Sequence, residues 1–470
     1  MARLRLQRRA LLGSALAAAT LRPLRAFATA PGYPRLMEGP MIGTVTADSI
    51  TFWGRASGEL DVDVEYSTSA AFTSPGRSQS VRATAASDYT VRITITGLAP
   101  ATRYYYRLRV DGIPDRYRQT PFWTRTAPAG RAPFRLAFGS CARHQLDTEQ
   151  PVFHAIAAAQ PDVFFWLGDN IYADSASTWV FAEDYRRQRA IASTLPLMRS
   201  VPQLAIWDDH DFGLNNSDSA NPAREASLTA FRNYWANPAY GLPDCPGVFF
   251  RYSWGDVDFF MLDGRYYRTP NQSADGPDKT LLGPRQGEWL RHELLASRAP
   301  FKVLVSGSGW SIEDGPKGDT WGAFLTERNA LFDFIRDRKI AGVFCLSGDT
   351  HFGEVNCVPW SERGGYDMYD FVSSPLAQGT GSSFLDGDPE LRIRLPYFRT
   401  VNFGLLDFAW KPEPRVTFTL RDVRGDLALQ PVSLTPAELK NGVSTWRSKM
   451  DPKELKRREQ AALPAPALTP

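Results

Sequence analysis

The chain has 470 residues, of which 43% are hydrophobic, 12% aromatic and 22% charged; this is the composition of a folded globular protein and excludes wholesale disorder. At this length more than one domain is expected. The formal charge of +3 comes from one end: residues 1–30 hold six arginines and no acid, so the remainder carries 48 basic against 51 acidic residues, a charge of −3, and no basic patch argues for nucleic acid as an obligatory partner.

The first thirty residues combine Arg3, Arg5, Arg8 and Arg9 with an apolar stretch from Ala10 to Leu21 and small residues at Ala26, Ala28 and Ala30, the outline of a signal peptide. The pair Arg8-Arg9 ahead of Ala10-Leu11-Leu12 resembles a twin-arginine signal, so the expectation is export of a folded bacterial protein to the periplasm or medium. The apolar run falls short of the roughly 20 residues a membrane span requires, and no later segment reaches that length, so no transmembrane anchor is expected after cleavage.

From Gly39 to about Thr126 short runs alternate apolar and polar residues, as in Val62-Asp63-Val64-Glu65-Tyr66 and Tyr89 to Ile95, with turn residues between them. This predicts a small all-β sandwich over residues 31–126. The run from Gly97 to Leu108, with Tyr104-Tyr105-Tyr106, resembles the late part of a fibronectin type III domain, in which a tyrosine braces the corner before its strand. Ala127 to Ala132 reads as a linker.

Beyond it, apolar strand-like runs alternate with helical stretches. Strands are predicted at Phe134 to Phe138, Val163 to Leu167, Leu204 to Trp207, Val248 to Trp254, Val257 to Leu262, Lys302 to Ser306, Gly342 to Ser347, Met368 to Val372, Gly404 to Trp410 and Arg415 to Asp422. Helices are predicted near Val152 to Ala159, Phe181 to Leu195, Arg224 to Trp235, Pro284 to Ala296 and Glu327 to Arg338. The pattern indicates an α/β (α+β) domain over 127–434 with layered mixed sheets flanked by helices. The tail, 435–470, opens on the helix-capable Thr435-Pro436-Ala437-Glu438 and ends in a Pro/Ala-rich stretch expected to be disordered. Among the four cysteines, Cys245 and Cys357 lie in turn-like, proline-containing contexts and form the pair an oxidising compartment would allow to bridge; Cys345, inside an apolar run, reads as core.

Four of the predicted strands end in short polar clusters: Gly139-Ser140-Cys141, Gly168-Asp169-Asn170-Ile171-Tyr172, Asp208-Asp209-His210-Asp211 and Ser347-Gly348-Asp349-Thr350-His351. Ligands in open α/β sheets bind just beyond the carboxyl ends of strands. Together the clusters offer a thiol, several carboxylates, a phenol and two imidazoles, a set that resists ionisation in one cleft unless cations neutralise it. Two metal ions would do so, and would also clamp a phosphate and acidify a water.

These motifs, with Trp207 before the third cluster, Leu262-Asp263-Gly264-Arg265-Tyr266-Tyr267-Arg268 and Leu282-Gly283-Pro284-Arg285-Gln286-Gly287-Glu288-Trp289-Leu290, resemble the alkaline phosphatase D family of calcineurin-like metallophosphoesterases from Gly39 to about Gln430. The resemblance implies that Asp169 bridges two metals and that Cys141, Tyr172 and His351 complete the first site. Asp209 and Asp349 would serve the second, with Asn215 a further candidate. His210 would stand beside the phosphate and protonate the leaving group. From its own chemistry, Arg265 is a candidate to contact phosphate with its bidentate fork, the alternative being a salt bridge to Asp263 or a neighbour. The wider superfamily opens with Asp-x-His and carries Asn-His and His-x-His where this chain has Ser140-Cys141, Asp209-His210 and Asp349-x-His351. A thiolate with a phenolate suits ferric iron, and an oxygen-only second site suits calcium; zinc or manganese also fits these donors. The implied activity is hydrolysis of phosphate monoesters and diesters by a hydroxide held between the metals. The alternatives are a phosphodiesterase or phospholipase D-like hydrolase acting on nucleotides or phospholipids at the same site, and an extracellular binding module with a vestigial metal site.

Each residue has a plainer reading. Alone, Cys141 would be a buried core cysteine, Tyr172 a packed aromatic, and Asp169, Asp209 and Asp349 caps or turn residues. His144, His154 and His292 read as structural, Trp289 and Trp321 as core anchors, and Asp208 and Asp211 as residues that support His210 from behind rather than ligands.

Overall fold

The computed structural model describes residues 33–115, 121–310, 318–381, 391–394 and 396–461. The expected export signal and the Pro/Ala-rich end of the tail lie outside the described residues. Alternation in the N-terminal region builds two small sheets from β1 (Leu36–Val45), β2 (Ile50–Ala56), β3 (Asp61–Ser67), β4 (Thr90–Ile95), β5 (Arg103–Val110) and β6 (Phe122–Arg125). The order β1-β2-β4 makes one sheet, and β3-β5-β6 with short edge strands makes the other. Along β5 every second residue is buried, which turns Tyr104, Tyr106, Leu108 and Val110 inward. The Tyr104 hydroxyl accepts the Ala99 N–H at 2.9 Å and braces the preceding corner.

The rest of the chain runs β7 (Phe134–Gly139), α1 (Val152–Ala158), β8 (Val163–Leu167), α2 (Thr178–Ala190), α3 (Leu195–Ser200), β9 (Gln203–Ile206), α4 (Asp209–Phe212), α5 (Arg224–Tyr234), β10 (Phe250–Trp254), β11 (Val257–Met261), α6 (Pro284–Ala296), β12 (Phe301–Val305), α7 (Leu325–Asp337), β13 (Val343–Ser347), β14 (Glu354–Val358), β15 (Met368–Val372), β16 (Asn402–Ala409), β17 (Arg415–Asp422), β18 (Val432–Leu434), α8 (Trp446–Lys449) and α9 (Pro452–Ala461). Two six-stranded mixed sheets result, ordered β9-β8-β7-β16-β17-β18 and β10-β11-β12-β13-β15-β14. Strands β7, β8 and β9 are parallel, as are β11, β12, β13 and β15. Their residues are apolar without alternation because both faces are covered; all five of β8 are buried. Aromatic rings knit the core: Phe165 meets Phe259 edge-on at 4.9 Å, Phe134 stacks on Phe408 at 4.6 Å, and Phe371 on Phe418 at 4.6 Å. Burying each phenylalanine contributes about 1.5–3 kcal/mol. Among the described residues no helix is long and apolar enough to cross a membrane.

Three expectations change. Strand β14 was hidden by its polar residues: Glu354 is buried but paired with Arg392 at 2.9 Å, which lets an apparently hydrophilic run sit inside. The Thr435–Glu438 capping bonds form, with both the Thr435 N–H and hydroxyl donating to Glu438, yet only a turn follows, and the tail's helices are α8 and α9. No disulfide joins Cys245 to Cys357; both are thiols, because Cys245 lies in a short hairpin beside Tyr267 while Cys357 is held in β14 opposite Tyr369.

From Pro34 onward the chain is one compact unit. Gly43 lets β1 lie directly on Ala236, where a Cβ would come within 2.3 Å of the alanine's own, and the Thr44 N–H donates to the Ala236 carbonyl at 2.9 Å. Trp53 donates to Asn233, Tyr106 to Arg199 and Tyr252 to Val45. Asp88 is the polar centre of this contact. It accepts from Arg55 at 3.2 Å, from Arg186 at 2.9 Å and from the buried Tyr234 hydroxyl. Asp88→Ala is expected to lower stability by about 2–3 kcal/mol, because it strands charged donors, and to shift a single urea transition. A variant in which the N-terminal sheets melt in a separate, earlier step would contradict this joint packing.

Candidate metal centre

The polar clusters follow the carboxyl ends of parallel strands, three of them in loops and turns and the fourth, Asp208–Asp211, at the start of α4. Cys141, Asp169, Asp349 and His351 all have positive φ, at 60°, 51°, 70° and 57°, in the left-handed region that costs a side-chain-bearing residue roughly 1–3 kcal/mol. Cross-links between turns hold them there. The Cys141 N–H donates to Gly168 O at 3.2 Å and the Ala142 N–H to Asp169 O at 2.9 Å; Ala377 N–H donates to Cys141 O at 3.0 Å. Two glycines mark where turns touch. Gly168 has φ +99° and a Cβ there would lie 2.6 Å from that of Asp208, while a Cβ on Gly348 would lie 2.4 Å from Ser140 Oγ. Ser140 Oγ in turn accepts the Asp349 N–H at 3.1 Å, and Ser374 Oγ accepts that of His351 at 3.2 Å.

The side chains converge accordingly. Cys141 Sγ lies 3.5 Å from Asp169 Oδ2 and 3.8 Å from the Asp349 carbonyl. Tyr172 OH lies 3.4 Å from His351 Nε2. Asp169, Asp209 and His210 each offer one ligand atom within 4.8 Å of the other two. Cys141, Asp169, Tyr172 and Asp209 are buried; His210, Asp349 and His351 are half-buried. Asp209 accepts the His210 N–H at 2.9 Å and the Asn216 N–H at 2.7 Å.

Electrostatics test whether these residues fit a metal. Burial, followed by the charges of Asp209, Asp208, Asp349 and Asp211, pushes Asp169 well above the usual carboxylate range. Asp349 is pushed up by burial and then by Asp208 and Asp209. Burial and the neighbouring Asp169 raise the Cys141 thiol, and burial, Cys141 and Asp169 raise the Tyr172 phenol. Protein groups alone therefore disfavour the ionised forms of Cys141, Asp169, Tyr172 and Asp349, whereas a polyvalent cation among thiol, phenol, carboxylate and imidazole would stabilise them. The donor set fits a metal centre. His351, whose pKa burial and the charge of His210 lower to about 4, is ready to offer a neutral nitrogen.

Two anticipated residues stand apart. Arg265 is fully buried; its guanidinium pairs with Asp208 and, at 3.0 and 2.5 Å, with Asp319, so it presents nothing to a phosphate in the cleft. Asn215 is exposed in the turn after α4, and it is the backbone of Asn216 that reaches Asp209. Two other residues went unnoticed in the sequence. The Arg143 guanidinium lies 5.1 Å from the centre of the Tyr172 ring, beside His351; its only sequence signal is its place two residues past Cys141. Asp174 Oδ1 lies 2.5 Å from His210 Nδ1, and it too has a positive φ, 44°. The His210 ring also lies against Tyr172, with centroids 4.2 Å apart. His144 is buried, with Nε2 3.3 Å from Asp184.

Residues 136–392 match the model of the PhoD-like phosphatase family, and residues 22–128 match that of the PhoD-like phosphatase N-terminal domain. A curated relative, alkaline phosphatase D of Bacillus subtilis (strain 168), is 27% identical over 314 residues, 56% of this chain and 53% of the relative; the match thus spans about half the relative's length. The solved structure of PhoD superposes with a TM-score of 0.72 at 19% identity, covering 91% of this chain and all of that one. Purple acid phosphatase PPD1 from yellow lupin seeds superposes with 0.61 at 14% identity, covering 92% and 77%. These two likenesses establish the fold as that of the metallophosphatases, and the family match, which takes in more than half of the residues, establishes kinship: the chain belongs to the PhoD-like phosphatase family.

Proposed function

We propose that the protein is an exported, metal-dependent phosphoesterase that hydrolyses phosphate monoesters and, in the same cleft, diesters. The observation that carries this reading is the convergence of Cys141, Asp169, Tyr172, Asp209, Asp349, His210 and His351 at the carboxyl ends of parallel strands in a chain of this family. Export rests on the arginine-rich, apolar leader.

Asp169 would be shared between the two metals, with Cys141, Tyr172 and His351 holding one and Asp209 and Asp349 the other. Thiolate and phenolate favour ferric iron at the first position, and oxygen donors favour calcium at the second. When bound, the pair supplies positive charge to the phosphoryl oxygens and acidifies a water. The chain supplies the rest. Arg143, in place of Arg265, offers its guanidinium to the phosphate rim. His210 donates its Nδ1–H to Asp174 and keeps Nε2 for the leaving-group oxygen, to which it delivers a proton. The nucleophile comes from water, so no phosphoenzyme forms.

Asp169→Ala is expected to lower bound metal and to reduce kcat by at least roughly 10³-fold; elemental analysis beside a monoester assay checks both, and a fully metallated variant with unchanged turnover would end the enzyme reading. A tyrosinate on ferric iron absorbs visible light, so the purified protein should be coloured and Tyr172→Phe should shift or bleach the band; a colourless, iron-free and active protein refutes iron. A third test concerns pH. Burial lowers the His210 pKa, but the Asp174 hydrogen bond and the charges of Asp209 and Asp174 outweigh it, and the net shift is upward. A general acid works while protonated and fails as pH rises through its pKa. Asp174→Asn should therefore move the alkaline limb of kcat to lower pH for alkyl esters, with little change for nitrophenyl esters, whose leaving group departs without a proton. Identical limbs in variant and wild type would remove His210 from the acid role.

A further inference from the structure

Asp211 has no side-chain atom in the group of donors that meet at the cleft, yet it touches both halves of that group from behind. It sits in the first turn of α4, 1% exposed. Its carboxylate accepts the Asn170 N–H at 3.1 Å to each oxygen, the Ile171 N–H at 3.3 Å, the Asn170 side-chain amide at 3.2 Å, the Asp208 N–H at 3.2 Å and the Tyr185 hydroxyl at 3.4 Å. Asn170 and Ile171 form the turn that carries Asp169 and Tyr172. Asp208 opens the helix that carries Asp209 and His210, and its side chain accepts the Asp211 N–H in return, as a reciprocal cap. Five donating groups, from one turn, the start of α4 and α2, therefore share one carboxylate.

We propose that Asp211 is a positioning residue that sets the distance between the two groups of metal ligands, by bridging the Asn170–Ile171 turn to the start of α4. The chemistry selects a carboxylate: every neighbour donates, so the site accepts a group with acceptors only, and an amide would turn its own N–H bonds against backbone N–H groups. The backbone links between the two segments are few and long, the Ala173 N–H to His210 O at 3.3 Å and the His210 N–H to Asp169 Oδ1 at 3.4 Å, and the other direct links lie on the cleft side, where the His210 ring meets Asp174 and Tyr172. Asn170 Nδ2 adds a tie to Ile206 O at 2.8 Å. The Asp211 bridge is the broad contact between them, and metal pairs need their ligands placed within fractions of an ångström. The inference rests on the reading of the cleft as a two-metal centre, but not on which ester it hydrolyses.

The experiment uses the full mature chain, stripped of metal and reloaded with Mn2+, whose paired ions give an exchange-coupled electron paramagnetic resonance spectrum sensitive to their separation. In wild type, two Mn2+ per chain with a coupled spectrum are expected. Asp211→Asn should weaken the second Mn2+ by about 10–100-fold, lose or alter the coupling, and lower kcat with KM for a small monoester nearly unchanged; Asp211→Glu, which keeps acceptors only, should recover part of the coupling. Tyr185→Phe removes a bond to the same carboxylate without touching the bridge and should leave Mn2+ uptake and coupling intact, which separates positioning from simple support of the fold. Should Asp211→Asn fail to fold, Asn170→Ser decides, since it thins the bridge from the other side. Coupling and affinity equal to wild type in the folded Asp211 variant, or in Asn170→Ser when that variant is the arbiter, overturn the proposal while the metal reading stands. A wild type that takes up no Mn2+ pair overturns both.

Discussion

Within one cleft the chain brings together a thiol, a phenol and carboxylates whose burial and mutual repulsion drive each of them away from ionisation. Among the described residues no salt bridge reaches Asp169, Asp209 or Asp349. The nearest strongly held cation, Arg265, is spent on Asp208 and Asp319 in the layer behind. That asymmetry is informative: the supporting acid Asp208 pairs directly with an internal cation, and among the described residues the converging carboxylates form no such pair. A metal ion entering the cleft replaces repulsion with coordination and displaces protons as it does so, so binding is coupled to pH and the apo cleft is the unfavourable reference state.

An arrangement this costly needs a scaffold that cannot relax out of it. Positive φ at Cys141, Asp169, Asp174, Asp349 and His351 places strained backbone at successive strand ends, and strain of this kind persists only where surroundings over-determine it. Here the surroundings are two sheets whose parallel strands are buried on both faces, plus turns that touch at Gly168 and Gly348 with no space for a side chain. The N-terminal sheets contribute from the far side. By packing β1 on Ala236 and tying Asp88 to Arg186 and Tyr234 they fasten α2 and α5, and α2 carries Tyr185, one of the donors to Asp211.

The strand tips were legible in the sequence because a fully buried parallel strand is an unbroken apolar run, and the polar residues after it stand out: Val163–Leu167 followed by Gly168-Asp169, Val343–Ser347 followed by Gly348-Asp349. Local patterning also placed β15, β17 and α6 to the residue. What it could not supply were contacts between distant segments. Arg265 looked like a phosphate ligand because its partner Asp319 lies 54 residues away, and Arg143 and Asp174 carry no local pattern that distinguishes them from surface charges. Glu354 disguised a buried strand for the same reason, since Arg392, 38 residues on, neutralises it.

The two imidazoles of the cleft illustrate how such contacts divide labour. By residue type His210 and His351 are interchangeable, and His210 stands close enough to Asp169 and Asp209 for the three to hold one ion. Their surroundings separate them. Burial and the charge of His210 push His351 down to about 4, so near neutral pH it is an unprotonated donor, the form a metal binds. His210 is shifted upward, chiefly because Asp174 holds its Nδ1, so it keeps a proton more readily and has one nitrogen already committed. Where environments drive two like groups in opposite directions, the roles of ligand and acid follow the shifts. On the proposed reading His351 would coordinate and His210 would protonate, and Asp174, an exposed aspartate on a strained turn, would make the difference between them.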